Sequence, residues 1–507
     1  MMVHLPILPI LIPLVGGVLM LLPPFVGSER YRLRRAASIL LSVMQVVCAG
    51  WLITTVMRDG GIMYAVGDWQ PPFGIILYAD LLSAMLVGLT SFLGLGAVLY
   101  ACAGTDREGK YFHPLLQFQL LGIAGAFLTN DLFNLFVFFE VLLIASYTLL
   151  IHGGGKMKTA ASVHYVILNL IGSSLFLIAL GTLYGATGTL NIADMSQRVA
   201  QLSDSQAIIA QVGGSLLLVV FGLKAAMLPL HFYLPSTYEA ASAPVAALFA
   251  IMTKVGVYCI FRVYTVIFGE QAGELAHMVE PWVWGLALSS IVVGTIGALA
   301  SPSLRMLAGN LVIVSVGTLL VAFALRTPEA TAAGLFYLVH STLITGALFL
   351  IADMIGEQRG KAFDRFVIAR KLNQQTLLGV VFFVAALTVA GLPPFSGFLG
   401  KVLILQSVTD GNERLWVWSI ILISSLVTIV AFSRAGTTLF WRYAPHSEPS
   451  EEDGASVWQV GATVMLLIAS PVLVIFGDSI IQYSQAAAAQ LHDINGLLDV
   501  MNLRGGL

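Results

Sequence analysis

The stretch Gly213–Pro235, GGSLLLVVFGLKAAMLPLHFYLP, decides the fold. It is apolar enough to lie in a membrane, yet it carries Lys224 in its middle and is interrupted by Pro229. A lysine near the bilayer centre costs roughly 2.5–3.5 kcal/mol on insertion scales, so it is rarely kept without a partner or a task. Pro229 removes a backbone donor and its ring clashes with the preceding turn, which breaks the helix within about a turn and a half of the lysine. Broken membrane helices line polar cavities, because their freed backbone groups need protein or water around them. The plainer reading is a lysine near a helix end that reaches for the interface. The rest of the chain argues against it, because the arrangement recurs.

Of 507 residues, 58% are hydrophobic and only 10% are charged. Soluble domains carry about 25% charged residues, so the composition is that of an integral membrane protein. No basic tract suggests nucleic acid. Cys48, Cys102 and Cys259 are scattered in apolar runs without metal-ligand or disulfide spacing. The N-terminal run lacks a basic leader and reads as a first membrane helix rather than a removed signal.

Apolar runs long enough to cross a core about 30 Å thick fall at about fourteen places, from Leu5–Leu22 to Val457–Phe476. The seventh is Ala210–Leu230. The twelfth, Leu377–Gln406, is overlong and contains Pro393 and Pro394, so it is a second broken helix. Lys224 precedes the first break and Lys401 follows the second. The breaks lie five spans apart, an odd number, so the two units enter the membrane from opposite sides. Inverted repeats with discontinuous helices are the build of secondary transporters. The expected fold is therefore all-α, with about fourteen transmembrane helices and two inverted five-helix repeats, each containing a broken helix. The segments are 1–112 (helices 1–3), 113–270 (helices 4–8), 271–443 (helices 9–13) and 444–507 (linker, last helix and tail). The linker His446–Ser456 reads as polar and acidic, and the tail after Phe476 as a weak candidate for a surface helix.

Basic residues in short loops set the orientation. Arg30, Arg32, Arg34 and Arg35, then Arg107 and Lys110, Lys156 and Lys158, Arg305, the run from Arg359 to Lys371, and Arg442 share one side. The opposite loops hold Arg58, Arg198, Arg326 and Arg414, together with Glu270, Glu274 and Glu280. Both termini are therefore expected on the outer side. Trp69, Trp282, Trp284, Trp416, Trp441 and Trp458 stand near span ends, as an aromatic belt requires.

Ionisable groups besides Lys224 stand deep in apolar spans: Glu140, Lys254, His340 and Lys401. A buried unpaired glutamate tends to protonate and a buried unpaired lysine to lose its proton, whereas a Glu–Lys pair holds both charged. The set Glu140, Lys224, Lys254, His340 and Lys401 reads as a proton relay along the membrane midplane. Each has a plainer alternative: a structural carboxylate at Glu140, neutralisation of a neighbouring helix end by Lys254, a hydrogen-bonded interior histidine at His340. His231, just past Pro229, extends the relay toward the cytoplasmic side or is an interfacial histidine. Arg434 reads as snorkelling. No GxSxG, HExxH, CxxC, Walker or usable GxGxxG motif occurs. No ligands for a metal or redox cofactor are visible, so no cofactor is expected.

DLFNLFVFFEVLLIASYTLL around Glu140, FGLKAAMLPLHFYLP around Lys224, SAPVAALFAIMTKVGVY around Lys254 and GLPPFSGFLGK ending at Lys401 together resemble the antiporter-like proton-translocating subunits. That superfamily includes large membrane-arm subunits of respiratory complex I, subunits of membrane-bound hydrogenases, and the A and D subunits of Mrp-type (Sha, Mnh, Pha) cation/proton antiporters. The likeness spans nearly the whole chain, and with HSTLITGALFLIADMI it is most similar to the D-type subunits of the Mrp family. The resemblance implies that Glu140 modulates the pKa of Lys224, that Lys254 is a bridging lysine, His340 a polar link and Lys401 the terminal broken-helix lysine. One departure is Thr345 in HSTLITG, where complex I-type members often carry a lysine, which favours the Mrp reading. What the resemblance implies is a Na⁺(K⁺)/H⁺ antiporter subunit in a bacterial inner membrane. It would work with a larger homologous A-type subunit, several small membrane subunits and membrane lipid. The alternative is a proton-pumping subunit of a complex I-like or hydrogenase complex. A membrane enzyme or scaffold is the third reading.

Overall fold

The computed structural model describes residues 2–23, 25, 30–444 and 454–503. Most of the 446–456 linker therefore lies outside the described residues. In chain order the α-helices are α1 (Leu8–Met20), α2 (Tyr31–Asp59), α3 (Leu81–Ala101), α4 (Phe112–Leu128), α5 (Leu132–Ile151), α6 (Lys156–Thr187), α7 (Ile192–Val199), α8 (Asp204–Ala225), α9 (Leu234–Ala240) and α10 (Ala243–Val266). They continue with α11 (Glu280–Ala300), α12 (Leu304–Ala324), α13 (Pro328–Arg359), α14 (Gln375–Ala390), α15 (Ser396–Gln406), α16 (Gly411–Gly436), α17 (Val457–Ile475), α18 (Gly477–His492) and α19 (Ile494–Val500). Twelve helical segments among the described residues are long and apolar enough to cross a membrane, and α4, α14 and α15 are shorter apolar helices.

One departure from an all-helical chain is a small antiparallel hairpin of β1 (Ile62–Ala65) and β2 (Ile76–Ala79), pairing Ile62 with Ala79. It bridges α2 and α3 outside the apolar spans, where Pro, Gly and Asp residues break both helices.

Burial divides the helices into two kinds. Every residue in the apolar window of α10 is buried, and α12 and α13 are nearly as enclosed. By contrast, α2, α6 and α16 leave rows of large apolar side chains exposed, such as Val163, Ile167, Leu170 and Ile178 on α6. Such a contiguous apolar surface is expected of a lipid- or subunit-facing flank. Trp69, Trp282, Trp416, Trp441 and Trp458 are all exposed.

Both breaks obey one steric rule. A proline ring clashes with the carbonyl four residues back, and α8 ends at Ala225, four residues before Pro229. Likewise α14 ends at Ala390, four before Pro394. The reversals use Ala226 (φ 56°) and Gly391 (φ 81°) in the left-handed region. Lys224 therefore stands at the end of α8, beside the break, rather than in mid-helix as the apolar run suggests.

The tail is not a free surface helix. On α18, Ser484, Ala487, Ala488 and Leu491 are buried on one face, against α13 and α3. Its Tyr483 hydroxyl donates to Leu81 O at 2.7 Å and its Gln490 Oε1 accepts from Leu81 N at 2.9 Å. These bonds hold the start of α3, where Asp80 caps the helix and pairs with Arg262 of α10 at 2.6 Å, both side chains at most 6% exposed.

Removing one member of a buried ion pair costs about 3–5 kcal/mol, because the other charge is left uncompensated. Asp80→Ala is expected to lower the thermal midpoint of the detergent-solubilised protein sharply. Pairing it with Arg262→Met is expected to recover much of the loss, as a thermal-unfolding series will show.

Candidate functional site

Each of the five relay residues sits on its own element, and no hydrogen bond or ion pair joins one to another among the described contacts. Glu140 is on α5, Lys224 at the end of α8, Lys254 at the middle of α10, His340 on α13 and Lys401 on α15. Lys224, Lys254 and His340 are 7%, 0% and 3% exposed, so they are internal. Glu140 and Lys401 are only partly buried. The internal members are therefore enclosed by this chain, and the two ends lie toward its flanks.

The structure supplies each charge with neutral partners. Ser173 on α6 donates a hydrogen bond to Glu140 Oε1. Lys224 Nζ donates to Asn169 Oδ1 of α6 at 2.8 Å and lies 5.8 Å from the centre of the Phe139 ring. Lys254 Nζ donates to Ser315 Oγ of α12 at 2.9 Å. His340 Nδ1 meets Ser396 Oγ at 2.8 Å, and Ser396 Oγ in turn donates to Ser470 Oγ at 2.8 Å. Lys401 Nζ donates to Ser425 Oγ at 2.9 Å and to the Ala390 and Val389 carbonyls at 3.0 and 3.3 Å. Among the described residues, no carboxylate oxygen lies within 4.0 Å of the ammonium of Lys224, Lys254 or Lys401.

Those contacts redistribute the roles read from the chain. A cation at a helix C-terminus satisfies orphan carbonyls and the negative end of the macrodipole. That task belongs to Lys401, which binds the last carbonyls of α14, and not to Lys254, whose partner is a hydroxyl in mid-helix. At the first break a carbonyl two residues before the helix end, Leu223 O, accepts from the Tyr233 hydroxyl at 2.9 Å. Lys224 does not snorkel, because Asn169 holds it inside. Glu140 and Lys224 form no direct ion pair. Arg434 donates to Ser301 O at 2.7 Å and stands over Phe366, but it is exposed, as a snorkelling arginine is.

Asn169, Ser173, Tyr233, Ser315, Ser396, Ser425 and Ser470 escaped the sequence reading. The signal available was a polar residue facing inward on an apolar helix, which the serines and threonines scattered through the apolar runs offer many times over. Beside Lys224 a cavity of about 10 Å³ is lined by Asn169, Tyr165, Tyr233, Tyr238 and Met252, room for about one water. His231 lies half-buried in the turn between α8 and α9. A groove of about 1040 Å³ between α14 and α16, with Phe382, Phe383, Phe432 and Phe440 in its wall, contains none of the candidate relay residues.

A second polar centre lies in the loop between α3 and α4. Asp106 accepts two 2.6 Å bonds from Arg35 and stands 3.2 Å from His113 Nε2. Burial works against its charge, and these bonds outweigh it, holding the carboxyl down at about 2.

The site and fold define a polytopic membrane protein organised around buried ionisable side chains. Residues 129–428 match the family described as NADH:quinone oxidoreductase/Mrp antiporter, TM. The D subunit of the probable K(+)/H(+) antiporter of Rhizobium meliloti (strain 1021) is 37% identical, over 96% of this chain and 93% of its own. The D subunit of the Na(+)/H(+) antiporter of Bacillus subtilis (strain 168) is 38% identical over 86% of each. A chain in the structure of the Mrp complex from Dietzia sp. DQ12-45-1b superposes with a TM-score of 0.86 at 26% identity, over 98% of this chain and 99% of its own. This chain belongs to the NADH:quinone oxidoreductase/Mrp antiporter transmembrane family.

A carboxyl held below its ordinary 3.8 stabilises the fold fully above that pH and loses the contribution as pH falls toward 2. Asp106→Asn is expected to be less stable than the native chain at pH 7, with the difference vanishing by about pH 2. Unfolding midpoints of both proteins across that range check it.

Proposed function

We propose that this chain is the D-type, proton-translocating subunit of a multisubunit monovalent cation/proton antiporter. It exchanges internal Na⁺ or K⁺ for external protons in a bacterial inner membrane, driven by the proton gradient, with both termini on the outer side. Protons pass along Glu140, Lys224, Lys254, His340 and Lys401, with His231 giving access from the cytoplasmic side. The two units 113–270 and 271–443 act as inverted repeats, each contributing one broken helix.

The observation that carries this reading is the surroundings of Lys254. It is fully buried in the most enclosed helix, with a hydroxyl and no carboxylate as partner. A lysine fixed for structure alone is paired with an opposite charge, because an uncompensated buried ammonium is costly. One held by a neutral hydroxyl can take up and release a proton without breaking an ion pair. Serines, asparagine and a small cavity beside the other members supply acceptors and room for water. Glu140 and Lys401, half-buried at opposite ends of the set, support a path continued by neighbouring subunits. That fits relatives named as subunits.

Glu140→Ala and Lys224→Ala are expected to abolish exchange in everted vesicles while the complex still assembles. Lys401→Ala is expected to lose most of it. Normal exchange in the Glu140 and Lys224 variants overturns the relay. Gentle purification of the tagged native protein, followed by mass spectrometry, tests the assembly. Small cofactor-free membrane subunits beside a larger homologue support the antiporter. Iron–sulfur, flavin or nickel partners instead make the chain part of a redox-driven pump.

A further inference from the structure

A cavity of about 180 Å³ opens at the end of the helices away from the basic loops. It lies between the last turn of α10 and the last turn of α12. Its walls are Tyr264 and Thr265 of α10, Phe323 of α12, Arg326, Thr331 of α13, and the segment from Gly269 to Glu280. His492, at the end of α18, closes one side.

Two imidazoles and two carboxylates meet here. His277 Nδ1 stands 3.0 Å from Glu280 Oε1, whose side chain is 4% exposed. His492 Nε2 stands 3.2 Å from Thr331 Oγ1. Glu270 lines the mouth, and Arg326 faces it from the α12–α13 turn. Burial holds the His492 imidazole below its ordinary value and His277 adds to that, while Glu270 and Glu329 act to raise it. The relay does not use any of these groups.

The cavity lies on the outward extension of the two helices that carry Lys254 and Ser315. Tyr264 is ten residues from Lys254 on α10, about 15 Å at 1.5 Å per residue. Phe323 is eight residues beyond Ser315 on α12, about 12 Å by the same rise. The cavity thus stands over the Lys254–Ser315 contact, in line with both helices that make it. Between them lies an aromatic constriction, with Phe261 and Phe323 at 5.4 Å and Tyr264 and Phe323 at 6.4 Å between ring centres.

We propose that this cavity is the outer vestibule through which protons reach Lys254, with His277, Glu280 and His492 as the exchanging groups. The proposal rests on the relay reading above. Imidazole is the side chain whose charge changes near neutral pH, and carboxylates beside it favour collecting protons over anions. The Phe261–Tyr264–Phe323 constriction separates the vestibule from the lysine, so that access from the outer face is gated rather than open. The site takes hydronium and excludes bulk solvent from the core.

The native chain supplies a clean background for a test, because Cys48, Cys102 and Cys259 are all buried. Thr265→Cys places a thiol in the vestibule wall, and Gln271→Cys places one at its exposed rim. Intact cells carrying the complete complex are treated with a membrane-impermeant, positively charged methanethiosulfonate, and everted vesicles are then prepared for exchange assays. The expected result is a mass shift of this chain in both variants and loss of exchange on modification, with the native chain unaffected. His277→Gln with His492→Gln is expected to slow exchange by up to about a hundredfold, the low end for a positioned proton donor. Failure of both thiols to react from the outer face overturns the vestibule. So does full exchange after modification, or an unaltered rate in the double-histidine variant. Lys224→Ala, assayed without reagent, separates the two ideas. If it is inactive while the modified cysteine variants exchange normally, the relay stands and the vestibule falls. If it exchanges normally, the relay itself fails.

Discussion

One constraint governs the architecture: a lysine side chain has to be held fully buried, with a hydroxyl and no carboxylate as its partner. Lys254 is that group, and the surrounding helices are arranged to enclose it. The three most buried helices, α10, α12 and α13, carry Lys254, its partner Ser315, and His340. Helices that face outward, such as α2, α6 and α16, leave their apolar side chains on the surface. The interior is itself largely apolar, with a few costly charges enclosed in it, while the outer flanks are apolar as well.

The two broken helices solve the same local problem with different chemistry. Each ends four residues before a proline and turns through a left-handed residue. At the first break a neutral tyrosine hydroxyl donates to the freed carbonyl, which leaves Lys224 to Asn169. At the second the lysine itself binds the helix end. Lys401 is thus tied to backbone, and a change in its charge acts directly on the end of α14. Lys224 is tied to a side chain, and a change in its charge acts on α6. Equivalent-looking lysines are therefore anchored to different parts of the protein.

The charged ends of the molecule are locked by a different strategy. Asp80 with Arg262, Asp106 with Arg35, and Arg305 with Asp353 are paired oppositely charged groups near the ends of spans. Fixed pairs brace the loops and the tail helix. The midplane, by contrast, uses hydroxyl and amide partners. The ion pairs sit at loops and span ends, while Lys224, Lys254 and Lys401 have neutral partners.

Much of this was legible in the chain. Of the fourteen apolar runs, twelve correspond to helical segments long and apolar enough to span, among the described residues, while α4 and the α14–α15 pair are shorter, since hydrocarbon thickness fixes how many residues must be apolar. Prolines give the breaks, because ring sterics act over four residues whatever the fold. Isolated charges in those runs mark the candidate relay residues, because their burial cost makes them conspicuous. Their partners were not legible. Asn169, Ser173, Ser315 and Ser425 are ordinary polar residues, and only helix packing selects them from many others of the same kind. The same holds for the assignment of the helix-end role to Lys401 instead of Lys254, and for the docking of α18 on α3. Local sequence fixes which groups are costly to bury; three-dimensional packing alone decides which dipole, far away along the chain, meets each of them.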